Sequence, residues 1–299
     1  MGELIARAAV RTLQVGALAF TAYEMGEGPL ALLVHGFPDT PATWRHLAPA
    51  LAAAGFRAVA VACRGYEPGS TPADGDFGLA ALVDDVIGWL DALGAERAHL
   101  VGHDWGSSLV QLAAARAPDR VVSLTALAVA HPAAFAALLP TDLEQVERSW
   151  YLYLLQRPDL PELLIAQQGL LEHFWRRWSP GWEPDAAALA AMRAAFADPQ
   201  VVDSALAWYR RAFDPAHRRW PEAATLLSAP IAAPVLGLAG ARDGCVAAEL
   251  FLRAMPAEIF RAGREFAVIP DAGHFLHLEA PELVGARVTP WIARWQASE

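Results

Sequence analysis

Short apolar runs alternate with amphipathic runs along most of the chain, and this alternation limits the possible fold more than any other feature of the sequence. LALLV (30–34), RAVAVA (57–62), AHLV (98–101) and VVSLTALAV (121–129) read as buried strands. WRHLAPALAAAG, LAALVDDVIGWLDALG and SSLVQLAAARAP read as the helices between and after them, with Gly55 and Gly94 placed where two of those helices should stop. Strand–helix–strand repetition predicts an α/β fold, a mostly parallel sheet flanked by helices on both faces. The N-terminal LQVGALAFTAYEMGEG alternates more strictly and predicts antiparallel strands at the sheet edge.

The rhythm breaks after Ala130. From His131 to about Leu227 no strand pattern occurs, and LEQVERSWYLYLLQ and VVDSALAWYRRAF have helical spacing. Strands resume with APVLGLAG (233–240) and EFAVIP (265–270), and PELVGARVTPWIARW closes the chain as a helix. The expected organisation is a core of residues 1–130 and 228–299, interrupted by an inserted helical cap of residues 131–227. A length of 299 residues suits one α/β domain carrying such an insertion.

Composition removes several classes of function. An apolar content of 55% with 19% charged residues marks a globular chain. A net charge of −10 without basic blocks points away from nucleic acid and membrane surfaces. The densest basic run, His217–Trp220, is too short to argue otherwise. No segment has the roughly 18 uncharged apolar residues of a membrane span. The start, MGELIARAAVRTLQVG, carries Glu3 and no continuous apolar core, so it is not read as a secretory signal. Cys63 and Cys245 lie far apart and are expected to be free, buried thiols in a reducing compartment, with the cytoplasm as the expected location. The sequence leaves the oligomeric state open.

The chemistry centres on GHDWG, residues 102–106. Its spacing is that of the G-x-S-x-G strand–turn–helix elbow, with Asp104 in the serine position. An isolated aspartate there would simply cap a helix. Two more residues sit at matching strand ends. His274 lies in DAGHFLHLE after the last strand, and Asp243 lies in ARDG after the strand before it. A carboxylate at Asp243 can hold one ring nitrogen of His274 and leave the other as a base. HGFPDT (35–40) follows LALLV, and its Phe37 N–H can converge with the Trp105 N–H into an oxyanion hole. The isomer of Pro38 is not set by the sequence. His35 and His103 read as turn-shaping residues, His277 as a poor base, and Arg64 as a structural ion-pair residue. Trp150, Trp175, Trp178, Trp182 and Trp208 read as cap packing. Nothing stands at metal-ligand spacing around His103 and Asp104.

HGFPDT, RGYEPGS, GHDWG, ARDG and DAGHFLHLE together resemble the α/β-hydrolase-fold epoxide hydrolases, with haloalkane dehalogenases as close relatives, over nearly the whole chain. The resemblance implies the α/β-hydrolase fold with its inserted cap. Both families use an aspartate nucleophile, so the choice between them falls to the cap. Epoxide hydrolases face the nucleophile with two cap tyrosines. SWYLYLLQRPDLPE resembles the first tyrosine segment and assigns Tyr151, with Tyr153 as a second claimant; AWYRRAF resembles the second and assigns Tyr209. The implied catalytic set is therefore Asp104, Asp243, His274, Tyr151 and Tyr209, with the Phe37 and Trp105 N–H groups as oxyanion hole. It implies no cofactor and no metal, and a small apolar epoxide and water as partners. Phenols suit an oxirane, whose leaving oxygen needs a proton; a halide would prefer neutral N–H donors such as indoles. RGYEPGS departs from the family pattern at Glu67, where glycine is expected, which bears on local loop shape. The rivals are a haloalkane or haloacid dehalogenase using Trp105 and a cap tryptophan for halide, and a ligand-binding protein on the same scaffold with little turnover.

Overall fold

A computed structural model describes residues 8–295, so residues 1–7, Glu3 included, lie outside the described residues. Eight strands form a single sheet: β1 (Ala9–Val15), β2 (Leu18–Met25), β3 (Leu30–Val34), β4 (Arg57–Val61), β5 (Ala98–His103), β6 (Val121–Leu127), β7 (Val235–Gly240) and β8 (Arg264–Ile269). Their order is β1-β2-β4-β3-β5-β6-β7-β8. The β1–β2 and β2–β4 pairs are antiparallel, and every later pair is parallel. The order reverses between β3 and β5, which is where an open sheet of this kind gathers ligands at its carboxyl edge. The loop after β3 carries Phe37, and the turn after β5 carries Asp104.

Every side chain of β3 is buried, which is why the strand reads as a continuous apolar run. Leu30, Leu32 and Val34 enter the core on one face of the sheet, while Ala31 and Leu33 enter the core on the other. Each fully buried leucine or valine contributes about 1.5–3 kcal/mol. Helices cover both faces: α1 (Leu47–Ala53), α2 (Leu79–Ala92), α3 (Trp105–Arg116), and later α12 (Ala248–Arg253), α13 (Leu276–Glu279) and α14 (Pro281–Arg294). Gly55 and Gly94 follow α1 and α2 at φ 86° and 66°, the left-handed stop their positions suggested. Among the described residues, no helix is long and apolar enough to cross a membrane.

Between β6 and β7 the described chain is helical: α4 (Pro132–Leu138), α5 (Leu143–Arg148), α6 (Trp150–Leu154), α7 (Leu160–Gln168), α8 (Leu170–Trp178), α9 (Ala186–Ala195), α10 (Pro199–Arg211) and α11 (Trp220–Ser228). Asp185 and Asp198 cap α9 and α10, accepting from the Ala188 and Gln200 amides. Two tryptophans pin this segment to the core loops. The Trp175 indole donates to Pro38 O at 2.9 Å, and the Trp208 indole donates to Arg64 O at 3.0 Å. Arg64 itself grips Asp85 of α2 with two hydrogen bonds of 2.6 Å. Glu67 accepts from the Thr21 amide of β2, so its carboxylate ties the loop after β4 to that strand.

Candidate active site

The elbow places Asp104 at φ 54°, ψ −121°, a conformation costly for any residue but glycine. It is held there because the turn is squeezed from both sides. A Cβ on Gly106 would lie 2.0 Å from Val34 O, and one on Gly102 would lie 2.2 Å from Gly106 O. The two glycines thus let α3 start directly against β3 and β5 and push the Asp104 side chain off the sheet edge.

Three loops bring partners to that carboxylate. The Phe37 N–H, next to a cis Phe37–Pro38 bond, donates to Asp104 Oδ1 at 2.7 Å. His274 Nε2 lies 3.4 Å from Asp104 Oδ2, and His274 Nδ1 lies 2.9 Å from Asp243 Oδ2. The other Asp243 oxygen accepts from the Cys245 and Val246 amides at 2.7 and 2.9 Å. The His274 amide donates to Trp178 O, so α8 also fixes the base loop. All three groups are buried. Burial pushes the Asp104 carboxyl up, but the hydrogen bond and charge of His274, the His103 ring and the Phe37 amide outweigh it and hold it below its ordinary value. Burial alone would strip His274 of its proton; Asp243 and Asp104, one at each nitrogen, hold its value well above the ordinary range.

Above Asp104 opens a cavity of about 280 Å³. Asp104, Trp105, Tyr151 and Tyr209 line it, together with an apolar wall that includes Phe135, Leu139 and Phe213. Tyr151 and Tyr209 are nearly fully buried with ring centroids 6.2 Å apart, and Tyr209 meets Trp105 edge-on at 5.2 Å. Burial first, and then the nearby Asp104 charge, raise both phenols well above their ordinary value. Tyr153, the other claimant, is 63% exposed and off the cavity lining.

The other histidines near the site hold the backbone and side chains around it. His35 Nε2 accepts from the Cys63 amide, and His103 Nε2 faces His274 O at 2.9 Å. His277 Nε2 pairs with Thr43 Oγ1. One grouping was not visible from spacing: Asp39 of the loop after β3, His103 at the end of β5 and His277 of α13 place donor atoms within 4.8 Å of one another. Asp39 Oδ2 and the Nδ1 atoms of both histidines are buried without partners among the described residues. Burial lowers His103 to about 3 and His277 well below its ordinary value, and raises Asp39 to about 7. Ser108 and Gln156 also line the cavity. Ser108 could have been found from sequence, because it follows Asp104 by four residues and shares its helix face. Gln156 could not, since it follows the end of α6.

The chain is similar to known proteins of one family. Residues 29–281 match the family model of the alpha/beta hydrolase fold. The chain is 31% identical to Epoxide hydrolase A of Mycobacterium tuberculosis, over 94% of this chain and 96% of that one. Among solved structures it resembles Epoxide Hydrolase A from Mycobacterium thermoresistibile, with a TM-score of 0.79 at 27% identity over 96% of this chain and 98% of that one. It also resembles an epoxide hydrolase from an endophytic Streptomyces, with a TM-score of 0.77 at 27% identity over 96% and 95% of the two chains. The chain belongs to the epoxide hydrolases of the α/β-hydrolase fold.

Proposed function

We propose that this chain converts an epoxide and water to a vicinal diol through an alkyl ester on Asp104. One observation carries the assignment of roles: a single cavity is lined by the Asp104 carboxylate and by two buried phenols, Tyr151 and Tyr209. A carboxylate attacks a saturated carbon from the rear, and the breaking C–O bond leaves an alkoxide that must be protonated. Tyr151 and Tyr209 stay protonated at neutral pH because burial raises them, so one can give its proton to the ring oxygen.

Ester formation removes the Asp104 charge, and with it one of the two carboxylates that hold the His274 proton. That proton makes good the one given by the phenol. His274, still held by Asp243, then takes a proton from water. The hydroxide adds to the Asp104 carbonyl carbon, and the Phe37 and Trp105 N–H groups receive the oxyanion. Collapse breaks the ester bond, the new carboxyl proton goes to the departing alkoxide, and diol, Asp104 carboxylate and protonated His274 result.

A dehalogenase would need indole donors at the cavity. Trp175 and Trp208 give their N–H groups to Pro38 O and Arg64 O instead, and Trp105 alone among the tryptophans lines the cavity. We further propose residues 1–130 and 228–299 as the core, residues 131–227 as the cap, and a small apolar epoxide as substrate. The buried free thiols Cys63 and Cys245 favour a reducing location, the cytoplasm. Styrene oxide and a haloalkane assayed side by side test the function: diol without halide release is expected, and halide release without diol overturns it.

A further inference from the structure

Cys245 lies two residues after Asp243, and all its polar groups are engaged. Its amide donates to Asp243 Oδ1 at 2.7 Å, and its carbonyl accepts from Gln145 Nε2 of α5 at 2.8 Å. Its Sγ lies 3.3 Å from Tyr151 Oη. The thiol and the phenol are both buried. A phenol has one proton to give and can accept from a neighbour. Two arrangements satisfy the S···O contact. Either the thiol donates to Oη and the phenolic hydrogen stays free, or the phenol donates to sulfur and its hydrogen is turned away from the cavity. The S···O geometry is that of a thiol donor and a phenol acceptor, which leaves the phenolic hydrogen for the cavity that Tyr151 lines.

We propose that Cys245 is a positioning residue for ring opening: its S–H donates to Tyr151 Oη, which leaves the phenolic hydrogen directed at the oxygen of a bound epoxide. This rests on the assignment of Tyr151 to ring opening made above. An oxygen that accepts one hydrogen bond becomes a better donor in the next, so the thiol also strengthens the bond Tyr151 makes. Through its amide and its thiol, Cys245 joins the carboxylate that holds His274 to the cap tyrosine. The loop after β7 and the α5–α6 segment are thereby set in one register.

Single-turnover kinetics on Cys245→Ala, Cys245→Ser, Tyr151→Phe and Tyr209→Phe, and on the Ala change combined with each Phe change, test this. Cys245→Ala should slow alkylation about fivefold, the effect of one modest hydrogen bond, and leave ester hydrolysis unchanged. Cys245→Ser keeps a donor and should recover most of that loss. Cys245→Ala should cost nothing more in the Tyr151→Phe background and its full fivefold in the Tyr209→Phe background, because only Tyr151 receives the thiol. Alkylation in Cys245→Ala as fast as the parent or faster overturns the proposal, as does an equal loss in both steps or in both backgrounds. Normal alkylation by Tyr151→Phe overturns the assignment of Tyr151 itself.

Discussion

Asp104 combines two properties that normally conflict: it is buried, and it stays ionised. The Phe37 amide and the His103 ring hold it ionised alongside His274, and on the proposed mechanism Asp104 and His274 act in different steps, so the two should fail differently when changed. Replacing His274 with Gln leaves a carboxylate that still alkylates but an ester that water cannot clear. Alkyl-enzyme should accumulate, visible by intact-protein mass, while steady turnover falls on the order of a thousandfold. On the proposed mechanism the phenols act on the other step. Tyr151→Phe and Tyr209→Phe should each slow ring opening by about ten- to a hundredfold, read in a single-turnover burst. Because Asp104 is held below and both tyrosines above their ordinary values, the alkylation rate should stay flat through neutral pH. Its acid limb should fall below the usual carboxylate value of 3.8 and its alkaline limb above the usual phenol value of 10. The grouping of Asp104, Asp243 and His274 was legible because all three stand just past strand ends, where the structure brings them within 2.9 and 3.4 Å contacts. Cys245 was read only as a buried thiol, since nothing in ARDGCV shows which way its side chain turns.

The secondary elements were legible where one period dominates. Each predicted core strand lies within a residue or two of its observed span; full burial makes β3, β5 and β7 apolar runs, while the edge strand β8 is largely exposed. LEQVERSWYLYLLQ was less transparent. Its spacing predicts a single helix, yet the chain breaks at Ser149 into α5 and α6. Gln145 explains the break: its side-chain amide binds Ser149 Oγ and Cys245 O, while its oxygen accepts from the Ala247 amide. A long-range contact therefore overrides local periodicity and sets where Tyr151 sits. WRHLAPALAAAG likewise divides into a 3-10 turn, Pro41–Arg45, and α1. The Arg64–Asp85 pair shows what such contacts contribute to stability. Arg64→Leu leaves the Asp85 carboxylate buried without its cation and should cost about 3–5 kcal/mol in denaturant unfolding. Trp208→Phe, which strands only the Arg64 carbonyl, should cost about 1–3 kcal/mol.

Across the whole molecule, the segments at the carboxyl ends of β3, β5 and β8 meet twice: once at Asp104, and again where Asp39 of the loop after β3, His103 at the end of β5 and His277 of α13 come together. The second meeting makes a prediction about pH. Burial raises the Asp39 carboxyl to about 7 against 3.8 for the unfolded chain, so the folded state binds more protons than the unfolded state between those values. Asp39 therefore costs stability progressively as pH rises from about 4 to about 7, and the full cost persists above that. Asp39→Asn removes the ionisation. The difference in unfolding free energy between variant and parent should favour the variant increasingly from pH 4 to pH 7 and then level off; a difference independent of pH would contradict this. The α/β architecture and most of the cavity floor could be read from strand-end motifs, whereas this rear cluster could not, because it joins residues that only the folded sheet brings together.

The most direct measurement follows a single turnover in heavy-oxygen water with enzyme in excess over epoxide. If Asp104 forms the ester, the first diol carries an oxygen from the Asp104 carboxylate and is unlabelled, while label enters the Asp104 side chain and is recovered in its peptide. A first-turnover diol that carries the full solvent label, with Asp104 unlabelled, would contradict nucleophilic attack by Asp104.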